Sequence, residues 1–196
     1  MSLPFLFTEP IRTKRLTLRL MVPSDLDDVV AYQGREDVAR YLLHEPRDRV
    51  VLEPKIAEWG AATRMAEDGD YLQLAIQLEG QLDGHPPQRV IGHMYLNLAS
   101  VENLGAEIGW TLHPDFFGHG YATEAAVATL QLAFGDLGMH RVRAELDPRN
   151  DASIALCLRL GMREEALFVK DLMFKGDWAD TGVYAILDEE WAARHR

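Results

Sequence analysis

The stretch PDFFGHGYATEAA, from Pro114 to Ala126, constrains this chain more than any other. It follows an alternating apolar run, Ala106, Ile108, Trp110 and Leu112, which reads as a strand. It precedes Val127, Leu130, Phe134 and Leu137, whose spacing predicts the buried stripe of a helix. A strand, a glycine loop and a helix in that order make an anion site. The first turn of a helix presents N–H groups that have no intrahelical partner, and the macrodipole adds roughly half a positive charge there. Gly118 and Gly120 remove side chains from the approach, so the amides of Gly118, His119, Gly120, Tyr121, Ala122 and Thr123 can cradle a pyrophosphate. Two glycines before a helix also make an ordinary turn, and spacing alone leaves both readings open. A P-loop is excluded by the missing GK[ST] ending. A dinucleotide fold is excluded by the missing GxGxxG and its acidic partner about 20 positions on.

Further alternating runs predict strands at Leu72 to Leu78, Val90 to Leu98 and Val142 to Leu146, with a first strand at Leu16 to Leu20 and two last ones near Leu167 to Phe174 and Gly182 to Leu187. Helices are expected from Ser24, whose hydroxyl and the following Asp25, Asp27 and Asp28 suit a helix start, and from about Val50 to Glu67 with Pro54 in or near its first turn. Another is expected from Asp151 to Leu160, with Asn150 as N-cap and Gly161 as the left-handed terminal residue. Mixed strands and helices imply an α/β or α+β fold. Gly80 to Gln88 reads as a polar connection within one domain spanning residues 1–196, and residues 1–10 as a loose arm.

Charge and cysteine usage narrow the function classes. A formal net charge of −11 argues against affinity built on nucleic-acid phosphates and suits cationic partners such as amines. The apolar stretches fall short of the roughly 20 residues that span a bilayer, so no membrane role is expected and the chain reads as cytoplasmic. Cys157 is the only cysteine, which excludes an internal disulfide framework and any zinc site of several thiolates; no metal is expected.

Phe117, Gly118, Gly120 and Ala122 resemble the coenzyme-A pyrophosphate loop of the GNAT acetyltransferase superfamily, [QR]xxGx[GA], with Phe117 in place of Gln or Arg. The extension GYATEA is similar to the ribosomal-protein acetyltransferase branch. So are NDASIALCLRLGM, from Asn150 to Met162, the TKRLTLR from Thr13 to Arg19, and a tail holding Gly176, Trp178, Asp180, Tyr184 and Trp191. The resemblance covers nearly the whole chain. It implies one GNAT domain with a mixed, mostly antiparallel sheet of about seven strands and helices on both faces. It also implies acetyl-CoA as co-substrate and a primary amine as acceptor, either a peptide N-terminus or a small molecule. A homodimer and a non-catalytic coenzyme-binding role stay open.

In that family an amine attacks the thioester directly. The resemblance implies main-chain groups of Trp110 and Leu112 along the pantetheine, in a gap between this strand and Val142 to Leu146, and Gly109 suits a bulge there. It places Asn150 on the pantetheine or its strand and Ser153 near the coenzyme sulfur. Asn and Ser are also favoured at helix starts whatever the chemistry. If Leu98 pairs with Ala106, then His93, Tyr95, Asn97, Glu107 and Thr111 share one face. Glu107 matches a strand glutamate proposed as base in the branch; an edge carboxylate paired with an arginine is the competing reading, and His93 is the rival base. Cys157 stands where many relatives carry a tyrosine acid and reads as a small buried helix residue.

Overall fold

The computed structural model describes residues 3–80 and 88–194. In chain order its elements are β1 (Phe5–Leu6), β2 (Ile11–Arg12), β3 (Leu16–Leu20), α1 (Leu26–Gln33), α2 (Glu36–Ala39), α3 (Arg49–Ala61), β4 (Arg64–Met65), β5 (Tyr71–Leu78), β6 (Val90–Ser100), β7 (Gly105–Leu112), α4 (Tyr121–Gln131), β8 (Arg141–Leu146), α5 (Asp151–Leu160), β9 (Arg163–Phe174), β10 (Asp177–Leu187) and α6 (Asp188–Arg194). Most of the polar connection expected at Gly80 to Gln88 lies outside the described residues.

One mixed sheet carries the fold, in the order β2-β3-β5-β6-β7-β8-β10-β9. Every neighbouring pair is antiparallel except β7 and β8, which run parallel. The sheet has eight strands where about seven were expected, because the short β2 joins its edge. Alternation puts Leu16, Leu18, Leu72, Leu74, Met94, Leu96, Leu98, Ala106 and Ile108 on one face, where they bury against α4 and α5. Leu130 of α4 is wholly buried there, which is worth about 1.5–3 kcal/mol. On the opposite face α1 and α3 bring Val29, Tyr32, Leu52, Ile56 and Trp59 over Ala75. A register shift opposite Ile76 and Gln77 moves Val90 to the α1 side and Ile91 to the α4 side, so Val90 leaves the face that simple alternation gave it.

The amino-terminal arm corrects the sequence reading. Phe5 and Leu6 pair with Met65 and Arg64, the Phe7 amide donates to the Thr63 carbonyl at 2.8 Å, and Phe7 is buried. Leu3, Phe5 and Phe7 are spaced as a strand, and burying them offsets the ordering of a terminal segment. Two helix details also differ. Asp25 does not cap α1 with its side chain; it accepts from the Val22 amide at 2.9 Å, at the start of the 3-10 turn that holds Ser24, and forms a two-pronged pair with Arg19 at 2.8 Å. Helix α3 ends at Ala61, before β4, and Pro54 lies in its second turn. The helix that ends at Leu160 has the expected caps: Asn150 accepts from the Ser153 amide, and Gly161 has φ 87°.

Candidate active site

The site begins where two strands part. β7 and β8 pair only at Gly105 with Arg141, Ala106 with Val142 and Glu107 with Arg143, yet β7 continues to Leu112 and β8 to Leu146. Each strand stays on its other neighbour: β7 follows β6 up to Leu112, and β8 follows β10 up to Leu146 opposite Gly182. From residue 108 onward, backbone groups on the facing edges of β7 and β8 therefore have no partner in each other, which leaves a wedge lined by peptide donors and acceptors. No bulge at Gly109 produces it. Gly109 stays in register with Tyr95, and the only shift along that ladder falls between Leu98 and Ser100. The expected bulge is thus replaced by divergence of a short parallel pairing, the only parallel one among the described residues.

The wedge opens toward the start of α4. Gly118 and Gly120 both have φ 80°, a left-handed conformation that side chains disfavour. Gly120 is the N-cap and offers no capping side chain, so first-turn amides of α4 have no side-chain cap from it. A Cβ built on Gly118 meets nothing within 4 Å, so the loop is not plugged by its own residues. Long-range contacts hold the loop in place. Glu124, in the first turn of α4, accepts from the Thr13 hydroxyl at 2.6 Å, the Arg15 amide at 2.8 Å and Arg15 Nε at 2.7 Å. Burial pushes its pKa up, but those hydrogen bonds outweigh the effect and hold its carboxyl below the usual range. Arg15 also donates to the His119 carbonyl at 2.9 Å and lies over the Tyr121 ring at 4.5 Å. From α5, Arg159 reaches the Thr123 hydroxyl at 3.1 Å, which brings a second cation to the helix mouth.

A cavity of about 1030 Å³ runs from this loop along the wedge to α2, at the upper end of the roughly 300–1000 Å³ usual for small-molecule sites. Trp110, Leu112, Gly118, Gly120, Tyr121, Ala122, Thr123, Asn150 and Ser153 all line it. Trp110 Nε1 donates to Ser153 Oγ at 3.3 Å, which brings the strand and the α5 start together. His119 and Glu107 are not among its lining. His119 is exposed, 5.8 Å from the Tyr121 ring. Sequence reasoning missed Arg15, Glu124 and Arg159; for the first pair the contact spans 109 positions, a separation no local pattern reports.

Glu107 stands at the apex of the wedge, in the last paired register. Its Oε2 accepts from Arg143 Nη2 at 3.1 Å and Nε at 3.4 Å. Burial raises its pKa, and the hydrogen bond from Arg143 offsets only part of that rise. The ion pair and the basic shift coexist, so the two readings of Glu107 do not exclude each other. His93 lies deeper, with Nδ1 2.9 Å from the Tyr32 hydroxyl and Trp59 6.0 Å away. Burial pushes its pKa down to about 3, so it stays neutral in ordinary buffers. Cys157 is fully buried and its thiol is pushed up to about 12, unsuited to nucleophilic work.

A family model for the acetyltransferase (GNAT) domain matches residues 15–163. The chain belongs to the GNAT acetyltransferase family. The uncharacterised N-acetyltransferase YnaD of Bacillus subtilis is 29% identical over 181 residues, covering 92% of this chain and 98% of that protein. A crystal structure of a GNAT-family acetyltransferase from Bacillus anthracis superposes with a TM-score of 0.80 at 28% identity, covering 92% of this chain and 99% of the other. More distant relatives include YdaF, a candidate ribosomal N-acetyltransferase of B. subtilis, at 25% over 183 residues. Another is the spermidine N(1)-acetyltransferase of Escherichia coli, at 21% over 179 residues. With that membership the chain is an N-acetyltransferase. Among its described residues no helix is long and apolar enough to cross a membrane.

Proposed function

We propose that this GNAT chain moves the acetyl group of acetyl-CoA to a primary amine, with a peptide N-terminus as the leading acceptor. The observation that carries the reading is the wedge between β7 and β8 with its open, left-handed glycine loop at the wide end. The amides from Gly118 to Thr123 take the diphosphate, helped by the helix dipole and by Arg15 and Arg159. Unpaired main-chain groups of Trp110 and Leu112 take the pantetheine, with Asn150 fixing the start of α5. That directs the thioester toward the apex at Glu107.

At the apex, Glu107 removes a proton from the acceptor ammonium, directly or through water. The amine nitrogen bonds to the acetyl carbon and the carbon–sulfur bond breaks; the departing sulfur takes a proton from the Ser153 hydroxyl, which is restored by the second proton that the nitrogen sheds as the amide forms. Ser153 is held by Trp110, and its amide is held by Asn150, so the hydroxyl has a fixed origin. The peptide acceptor is supported by the GYATEA and NDASIALCLRLGM segments and by the likeness to YdaF. The relationship to spermidine N(1)-acetyltransferase and the net charge of −11 favour a second reading, a small polyamine. Mixing the protein with acetyl-CoA, a thiol reagent, Ala- and Ser-initiated peptides and spermidine tests both. Amine-dependent thiol release is expected; its absence with every amine refutes the function.

A further inference from the structure

The wedge divides the sheet into two parts. β2, β3, β5, β6 and β7 form one and β8, β10 and β9 the other, and the two share only the pairings that end at Glu107 and Arg143. Helix α2 goes with the first part, since Val38 packs against the cluster of Val29, Tyr32, Ile56 and Ala75. The β9–β10 hairpin goes with the second, since β10 pairs with all of β8, from Arg141 to Leu146. One side chain of the hairpin nevertheless reaches α2. Lys175 Nζ donates to the Ala39 carbonyl at 2.9 Å, a contact between residues 136 positions apart. It spans from one side of the wedge to the other, and the reaction scheme above has not used it.

The donor is held by its own turn. Phe174 pairs with Asp177, so Lys175 and Gly176 make a two-residue hairpin turn, and both are left-handed, with φ 50° and 82°. Asn-Gly favours that turn, whereas a lysine adopts it at a cost. The Lys175 side chain is only 25% exposed and its ammonium lies 5.1 Å from the Phe174 ring, so water has limited access to the contact. Glu45 Oε2 also lies 3.6 Å from Nζ, but that side chain is 70% exposed and the pair adds little. The receiving end needs support. α2 is a single turn of four residues with no side-chain cap at its amino end, too short to hold its own shape. The Ala39 carbonyl also accepts from the Leu42 amide at 3.0 Å, so Lys175 grips the atom on which the chain turns from α2 toward Tyr41 and Leu42.

Val38, Tyr41 and Leu42 line the cavity. The diphosphate and pantetheine draw on the glycine loop, β7 and the start of α5, which leaves this wall to the acceptor. We propose that Lys175 is a positioning residue for the acceptor: by holding the Ala39 carbonyl across the wedge, it fixes where Val38, Tyr41 and Leu42 stand and so how the amine is presented to the thioester. The proposal rests on the acetyltransfer reading and adds to it a part for the β9–β10 hairpin, whose described residues line none of the cavity.

The test uses the full chain, acetyl-CoA, a thiol reagent and two acceptors, an Ala-initiated tetrapeptide and spermidine. Lys175→Asn removes the ammonium and supplies the favoured Asn-Gly pair, so the hairpin keeps its turn. For whichever acceptor the wild type turns over best, the amine KM should still rise about fivefold or more in this variant, while coenzyme A affinity by calorimetry stays within about twofold. Lys175→Arg keeps a cationic donor of similar reach and should hold the amine KM within about threefold of wild type. Glu45→Gln should leave it within about twofold, because an exposed ion pair is worth little. An unchanged amine KM in Lys175→Asn, an equal loss of amine and coenzyme affinity, no rescue by Lys175→Arg, or the same rise in Glu45→Gln overturns the role of Lys175 and leaves the acetyltransfer reading standing. If Lys175→Asn does not fold, Lys175→Met takes its place with the same expected and overturning results. No thiol release from the wild type with either acceptor refutes the acetyltransfer reading itself, and the role of Lys175 with it.

Discussion

Replacing Gly118 by alanine separates backbone strain from coenzyme recognition, because the fold supplies a matched control. Gly118 has φ 80° and Gly69 has φ 89°, and a Cβ built on either meets nothing within 4 Å. Forcing alanine into the left-handed region costs about 1–2 kcal/mol at each site. For a domain of this size that lowers Tm by roughly 2–8 °C. Gly69 donates its amide to the Leu98 carbonyl and does not line the cavity, whereas Gly118 does. A methyl on Gly118 would project into the space assigned to the diphosphate and displace at least one amide contact to a charged oxygen. Such a contact is worth about 1.5–3 kcal/mol, or roughly 10- to 150-fold in affinity. Thermal denaturation should therefore show similar losses for Gly118→Ala and Gly69→Ala. Calorimetric titration with coenzyme A should show weakened binding for Gly118→Ala alone. Equal coenzyme affinity in the two variants would refute the claim that the bare Gly118 backbone faces phosphate.

Other consequences are simpler to state. Glu107→Gln should lower kcat by about 10²- to 10⁴-fold, the usual worth of a positioned base, with coenzyme A affinity unchanged by calorimetry; unaltered turnover would remove Glu107 from the chemistry. As a base Glu107 must be ionised, and burial raises its pKa, so the acid limb of kcat/KM should lie above the ordinary carboxylate range and disappear in the Gln variant. Ser153→Ala should slow turnover with little change in either KM; a large rise in the acetyl-CoA KM would instead make Ser153 a binding residue. His93 is neutral when folded, with its pKa pushed to about 3, while the unfolded chain protonates near 6.5. The unfolded state therefore binds more protons between those values, and stability should fall by up to roughly 1.4 kcal/mol per pH unit as pH drops below about 6.5. Urea denaturation at pH 5 and 7 should show a smaller difference for His93→Gln; an equal difference would assign the pH dependence to other groups.

Features set by local periodicity were readable in the sequence. Alternation put His93, Asn97 and Glu107 on one face on the condition that Leu98 pairs with Ala106, and the register has that pairing. Asn150 and Gly161 announced both ends of α5 because capping chemistry is local. What escaped depends on partners far along the chain. The Phe5 strand is fixed by residues 64 and 65, and Arg15 is fixed by Glu124; neither contact leaves a trace in spacing. Gly109 shows a different difficulty. A strand glycine marks either a bulge or a bare floor, and only the register with Tyr95 decides between them.

The structure of the protein crystallised with coenzyme A tests the central claim most directly. The account predicts diphosphate oxygens within hydrogen-bonding distance, about 3 Å, of amides between Gly118 and Thr123, and the pantetheine threaded between β7 and β8 with its sulfur near Ser153. A coenzyme bound elsewhere, or β7 and β8 paired along their full length in that complex, would contradict it.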